Sequence, residues 1–122
     1  AFFCILYMMN NKGEKMTLDI LVDKLCNDLT EAMRYRWSHA DKTYFYAKKG
    51  KKFIKIIKDD DTEYGKSVWG FINMNHDKFE MGDVLKAAGW RAPALNKARG
   101  NLFDGYPIDP NTMLIYGPRY LR

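Results

Sequence analysis

The sequence predicts an α+β fold in which one N-terminal amphipathic helix packs on a small, mostly antiparallel sheet, with a further short helix near residues 93–99. Two observations indicate this class. Apolar residues follow helical spacing from residue 17 to about residue 39, and later segments have the alternation and the aromatic and β-branched content of strands. With 122 residues, 47% of them hydrophobic, the chain can enclose one core, so we expect a single domain over residues 16–122.

The first helix is predicted by the most regular pattern in the chain. Its apolar positions fall on one stripe of a helix, and they are Leu18, Leu21, Val22, Leu25, Leu29 and Met33. Thr17 is a residue type that accepts hydrogen bonds from first-turn amides, and Asp19 suits the positive end of the helix dipole. Cys26 lies beside the stripe, so we expect it to be a small buried apolar residue.

The segments after the helix predict strands. In TYFYAKKGKKFIKIIKDDD, two aromatic or β-branched runs flank Lys49 and Gly50, a composition typical of a β-hairpin with a tight turn. Residues 67–74, SVWGFINM, are nearly all apolar and predict a third, central strand. Residues 112–116 predict a last strand that ends before Gly117 and Pro118.

The short helix is predicted from the run APALNKARG. Pro93 suits the first turn of a helix, because its missing amide costs nothing there, and Gly100 suits the end. Arg91 beside the free amides of that first turn could then bind a phosphate. The other interpretation is structural, with Trp90 anchoring a turn by its ring.

Residues 1–15 leave three interpretations open: a leader foreign to the domain, the end of a longer chain, or an edge strand with Phe2, Cys4, Leu6 and Met8 on one face. The apolar run AFFCILYMM is shorter than the ~20 residues that span a bilayer, and it lacks the flanks of a signal peptide. We therefore expect no membrane partner. The two cysteines form no metal-binding spacing with the two histidines, so reduced thiols in the cytoplasm are expected.

The net charge of +5 is unevenly distributed. Residues 41–58 carry seven lysines against one acid, residues 59–83 seven acids against two lysines, and residues 84–122 six bases against two acids. Four lysines crowd the predicted hairpin tip, namely Lys48, Lys49, Lys51 and Lys52. They could be a solvated turn that protects a sheet edge from aggregation. They could also be part of a surface that binds phosphates.

Non-specific nucleic-acid binding combines cations for the phosphates with aromatic rings for the bases, and the basic segments contain both. The candidate binding residues are Lys48, Lys49, Lys51, Lys52, Lys86, Trp90, Arg91, Lys97 and Arg99. Lys97 and Arg99 would lie about 200° apart on the predicted helix, so they cannot form one patch by themselves. Arg91 could form one with either. The hypothesis fails if Lys51, Arg91 and Arg99 face different directions and are each neutralised by a nearby carboxylate.

The stretch GDVLKAAGWRAPALNKARGNLFDG, preceded by FIKII and KSVWGFINM and followed by YGPRYL, resembles a group of small proteins of tailed bacteriophages. In that group a GD(V/I)(L/Y)KAA.WKAPA…ARGN core follows an SV.(G/C)F(I/V) strand. The resemblance covers residues 50–103 well and the last ten residues weakly. Arg91 stands where lysine is usual and Gly89 where serine is usual. The resemblance implies a viral origin, hence the host cytoplasm, and a shared small fold, but no activity.

Catalysis is not expected. His39 falls at a helix end and His76 in a polar loop, and the run Asp59, Asp60, Asp61 lacks the spacing of a calcium loop. We expect no catalytic residue, no cofactor and no metal site. One function left open is that of a phage-type accessory protein that binds nucleic acid non-specifically. The alternative is an interaction module that docks on a host or virion protein through its aromatics, its charge serving solubility and steering.

Overall fold

The computed structural model describes residues 17–37, 40–62, 65–106, 108 and 117–118. In this part of the chain one helix precedes a five-stranded antiparallel sheet whose strand order follows the sequence. The elements are α1 Leu18–Arg36, β1 Tyr44–Lys49, β2 Phe53–Asp59, β3 Lys66–Asn73, β4 Asp83–Leu85, β5 Gly100–Asn101 and a 3₁₀ turn, η1 Leu102–Asp104. The predicted α+β class is confirmed.

The helix α1 forms as its spacing predicts. The Thr17 hydroxyl accepts a hydrogen bond from the Ile20 amide at 3.3 Å and so caps the first turn. The buried residues of α1 are Val22, Leu25, Cys26, Leu29, Ala32 and Met33. The predicted burial of Cys26 is confirmed, and desolvation, with a smaller effect of Asp23, raises the pKa of its thiol to about 12. This cysteine is therefore a packing residue with almost no thiolate at neutral pH.

The core lies between α1 and one face of the sheet. The strand residues that join the helix stripe in one apolar cluster are Phe45, Ile54, Ile56, Trp69, Ile72 and Val84. Burying a valine, isoleucine or phenylalanine side chain contributes roughly 1.5–3 kcal/mol, so burial of this cluster is the main source of stability. No helix in the described residues is long and apolar enough to cross a membrane.

The predicted hairpin and central strand are confirmed. β1 and β2 pair antiparallel around a short turn in which the Gly50 amide donates to the Phe53 carbonyl at 2.8 Å. β3 lies between β2 and β4, as its apolar sequence predicts. The register between β2 and β3 shifts so that Trp69 has no partner, a bulge that places its ring in the core.

The predicted short helix near residues 93–99 is wrong. Pro93 instead forms an isolated bridge with Ala87, and the Ala94 amide donates to the Lys86 carbonyl at 2.7 Å. The residue before a proline is held extended, so residues 86–94 fold back as a narrow loop whose amides bond across it instead of along a helix. Gly100, predicted as a helix end, begins β5. The predictions for residues 1–15 and 112–116 lie outside the described residues.

Candidate nucleic-acid interface

A groove lies on the face of the sheet opposite α1. Ile54 and Ile56 belong to the core against α1, so side-chain alternation places Lys55 on the opposite face. The groove there has a volume of about 490 Å³. Its lining consists of Lys48, Lys49, Gly50, Lys51, Lys52, Phe53, Lys55, Phe71 and Arg91. None of these residues is acidic. We call this set the basic groove.

The basic groove joins two segments that are distant in sequence. The loop of residues 86–94 folds towards β2, so that Arg91 lines the groove together with the lysines of the hairpin tip. The Lys55 ammonium lies 4.5 Å from the centre of the Trp90 ring, a cation–π contact. Trp90 is 49% exposed, so the contact leaves much of its indole open to solvent beside the groove.

Aromatic rings form the apolar part of the groove. Phe53 and Phe71 meet edge to face with ring centroids 6.3 Å apart. Phe71 is 3% exposed and so is part of the floor, whereas Phe53 is half-buried and also stacks on His76 at 5.4 Å. The groove therefore combines a ring floor with positively charged walls.

Apart from Lys49, the lysines that line the groove form no salt bridge with an acid of the described residues. Lys48 and Lys55 are directly opposite in the β1–β2 register, where like charges are destabilising. The salt bridges among described residues involve Lys24, Lys49, Lys58 and Lys66. Within the described part of the chain, then, no carboxylate neutralises Lys48, Lys51, Lys52, Lys55 or Arg91. An anionic ligand would relieve their repulsion.

A buried asparagine at the end of β3 holds the next loop, and the residue after it bonds to the hairpin tip. Asn73 is 0% exposed, and its side chain donates to the Glu80 carbonyl at 3.0 Å and accepts from the His76 amide at 2.9 Å. The Met74 amide then donates to the Lys52 carbonyl at 2.9 Å. The Met74 bond connects Lys52, and with it one wall of the groove, to the end of β3, which the Asn73 bonds join to the next loop.

Residues 7–107 match a family described as a family of unknown function, DUF7717. The chain belongs to this family. The matched region contains every helix and strand described above, and so the whole basic groove lies within the DUF7717 region. Comparisons with curated proteins and with solved structures found no match.

The structure brings most of the predicted binding residues of this DUF7717 chain together. The basic groove is lined by Lys48, Lys51, Lys52 and Arg91. Trp90 lies beside it, in cation–π contact with Lys55. Lys49 contributes to the lining, but its ammonium lies 2.9 Å from the Asp19 carboxylate of α1. The charge of Lys49 is therefore directed away from the groove.

Besides Trp90, three predicted binding residues do not line the groove, namely Lys86, Lys97 and Arg99. The main-chain amide of Arg99 donates to the Val84 carbonyl at 2.7 Å, and its guanidinium donates to the Lys97 carbonyl at 2.7 Å. The helix that could have placed Lys97 or Arg99 next to Arg91 does not form, because the chain instead runs beside β4. A role of Lys86, Lys97 and Arg99 in binding stays a prediction.

Sequence reasoning missed Lys55, Phe53 and Phe71 as groove residues. Lys55 had a usable signal, since it alternates with Ile54 and Ile56 and must face away from the core. For Phe71 the sequence gives no such signal, because β3 is buried on both faces and its residues show no alternation of apolar and polar types.

The acidic turn after β2 forms a separate polar cluster at the far end of the hairpin. Asp59 is buried and accepts hydrogen bonds from the Tyr44 hydroxyl at 3.1 Å and from the Asp61 amide at 2.8 Å. The hydrogen bond to Asp59 is the main cause of a raised pKa at Tyr44. In the described residues no group of acids, histidines and cysteines could hold a metal ion. His39, the other histidine, lies outside them.

Proposed function

We propose that this DUF7717 chain is a small accessory protein of tailed-phage type that binds nucleic acid non-specifically through the basic groove. It would act without catalysis, as a binding protein in the cytoplasm of the host cell. The phage-type origin rests on the resemblance of residues 50–103, and the binding mode rests on the groove.

The observation that supports the proposal most strongly is the meeting of Arg91 with the hairpin lysines in one concave surface that has no acidic lining residue. A polyanion would satisfy several of these cations at once and release the counterions that surround its phosphates. Trp90 and Phe53 add exposed or half-exposed rings, the second requirement of a sequence-independent binder.

Fluorescence anisotropy with mixed-sequence oligonucleotides between about 50 and 200 mM salt tests the proposal, because phosphate contacts make affinity fall steeply with salt. The groove variant is Lys51→Gln with Lys52→Gln. Since each lost phosphate contact changes the slope of log K against log salt by about 0.7 for a single strand, we expect a slope shallower by about 1.4 and a weaker affinity.

The matched control is Lys24→Gln with Lys42→Gln. It removes the same two charges, but Lys24 lies on α1 and Lys42 precedes β1, at the end of the hairpin away from the tip. Its affinity should stay within about twofold of the wild type, because distant charges are largely screened. Equal losses in both variants would contradict a groove-specific role. No binding at about 50 mM salt would contradict nucleic-acid binding altogether and favour docking on a host or virion protein.

A further inference from the structure

Trp90 has the surroundings of a stacking platform. The Lys55 ammonium of β2 lies over its ring at 4.5 Å, a cation–π contact that restrains the indole. With 49% of the residue exposed, much of its surface faces solvent beside the basic groove. A ring that is already restrained by a contact loses less conformational entropy than a free one when a flat ligand stacks on it.

Only an unpaired base can use such a platform. In a duplex the faces of the bases are covered by their neighbours, and a protein reaches only base edges in the grooves. In a single strand the bases can be splayed out and stacked on aromatic side chains. We infer that the basic groove takes single-stranded nucleic acid in preference to duplex, with Trp90 stacking on an unpaired base; this inference rests on the proposed function.

The surroundings of the hairpin argue against the competing duplex mode. A free two-stranded ribbon can enter the major groove of DNA. Here the β1–β2 hairpin has a neighbour on each face. The loop of residues 86–94 reaches Lys55 through Trp90 on one side, and Lys49 is bound to Asp19 of α1 on the other. The hairpin therefore forms one wall of the basic groove, which suits a single strand, and it does not project as a free two-stranded ribbon.

The charges and the ring are placed for different parts of such a strand. Lys51, Lys52 and Arg91 line the groove and suit successive phosphates, while the Phe53 and Phe71 rings form the apolar floor between them. Stacking is indifferent to base identity, because every base has a π face. The mode is thus consistent with binding that has no sequence preference.

The experiment measures the affinity of the full chain for oligo(dT), for oligo(rU) and for a hairpin duplex with the same number of phosphates, at one salt concentration. We expect both single strands to bind at least about tenfold tighter than the duplex, and Trp90→Ala to weaken single-strand binding by about 5- to 150-fold. Duplex binding should change less than about twofold, and the salt slope should be unaltered, since stacking releases no counterions.

Trp90→Phe keeps a ring and should restore most of the single-strand affinity. Tyr35→Ala, which removes an 80% exposed ring on α1, is the control and should have no effect. If Trp90→Ala does not fold, quenching of tryptophan fluorescence by oligo(dT) in Trp37→Phe tests the stacking instead. Trp90 is then the exposed tryptophan that oligo(dT) can reach, because Trp69 is buried. Quenching supports the inference and its absence overturns it.

Three results would overturn the inference while leaving the proposed function standing: duplex binding as tight as single-strand binding, equal losses on both ligands in Trp90→Ala, or no loss on either. If no nucleic acid binds to the wild type at low salt, the proposed function itself fails. The two failures are therefore distinguishable in the same titrations.

Discussion

Lys48 of β1 and Lys55 of β2 lie directly opposite each other, on the face of the sheet away from α1. Two like charges in this register repel, and among the described residues no carboxylate forms a salt bridge with either. Lys55 gains a partial partner in the Trp90 ring, which it approaches at 4.5 Å. This like-charge pair is destabilising in the free protein, and a phosphate bound between the two ammonium groups would offset the repulsion.

Replacing Lys48 with glutamate should therefore change stability and binding in opposite directions. Lys48→Glu converts a like-charge cross-strand pair into an opposite-charge pair, which should raise the free energy of unfolding by about 0.2–1 kcal/mol. The same change should weaken binding to oligonucleotides, since a carboxylate then faces the phosphates. Urea unfolding and anisotropy measure the two effects. Lys48→Gln should have a free energy of unfolding and an affinity between those of Lys48→Glu and the wild type. If Lys48→Glu binds as well as the wild type, Lys48 does not belong to the interface.

Arg91 and Lys97 should differ in their effect on binding, although both are exposed cations of the second basic segment. Arg91 lines the basic groove and Lys97 does not. Arg91→Gln should weaken binding to a single strand and reduce the salt slope by about 0.7, the value of one phosphate contact. Lys97→Gln removes the same charge and should leave the slope unchanged. A salt titration that gives equal slopes for both variants would show that net charge, and not the groove, determines affinity.

Among the polar residues at the end of β3, Asn73 should contribute most to the free energy of unfolding. Asn73→Ala leaves the His76 amide and the Glu80 carbonyl without their side-chain partner, which should cost about 1–3 kcal/mol of unfolding free energy. Asn75→Ala is the matched control, because Asn75 is exposed and bonds to Lys52 through its main chain. Urea denaturation measures both, and a loss below about 0.5 kcal/mol in Asn73→Ala would place it among ordinary surface substitutions.

The parts of the fold that the sequence predicts are those set by local periodicity. The stripe around Leu25 and Leu29 specifies α1, and the two runs around Gly50 specify the hairpin, because each pattern satisfies its own hydrogen bonds and buries one face. β4 and β5 contain three and two residues and carry no readable period. They exist because the chain returns to the open edge of β3, a long-range contact.

The Pro93 segment shows why the candidate site was only partly predictable. Pro93 and Gly100 are compatible with the ends of a helix, but they are equally compatible with an extended loop, and pairing with Ala87 decides between the two. The helix interpretation allowed Arg91 to form a patch with Lys97 or Arg99, whereas in the structure only Arg91 of the three lines the basic groove. The contact between Lys55 and Trp90 joins residues far apart in the chain, so no local pattern could have indicated it.

The Tyr44 and Asp59 pair should make stability depend on pH in the alkaline range. The hydrogen bond to Asp59 raises the pKa of Tyr44 above its ordinary value of 10.0, so the fold favours the neutral phenol. A group whose pKa is raised on folding contributes stability that is fully present below its unfolded pKa and lost as the pH rises through the folded pKa. The difference in unfolding free energy between the wild type and Tyr44→Phe should be largest below pH 10.0 and shrink above it.

The variant Asp59→Asn tests the cause of this raised pKa. It removes the carboxylate while keeping an acceptor for the Asp61 amide, so it should lower the pKa of Tyr44. Tyrosinate absorbance, after subtraction of the Tyr44→Phe curve, measures that pKa. An unchanged pKa in Asp59→Asn would show that Asp59 is not its cause.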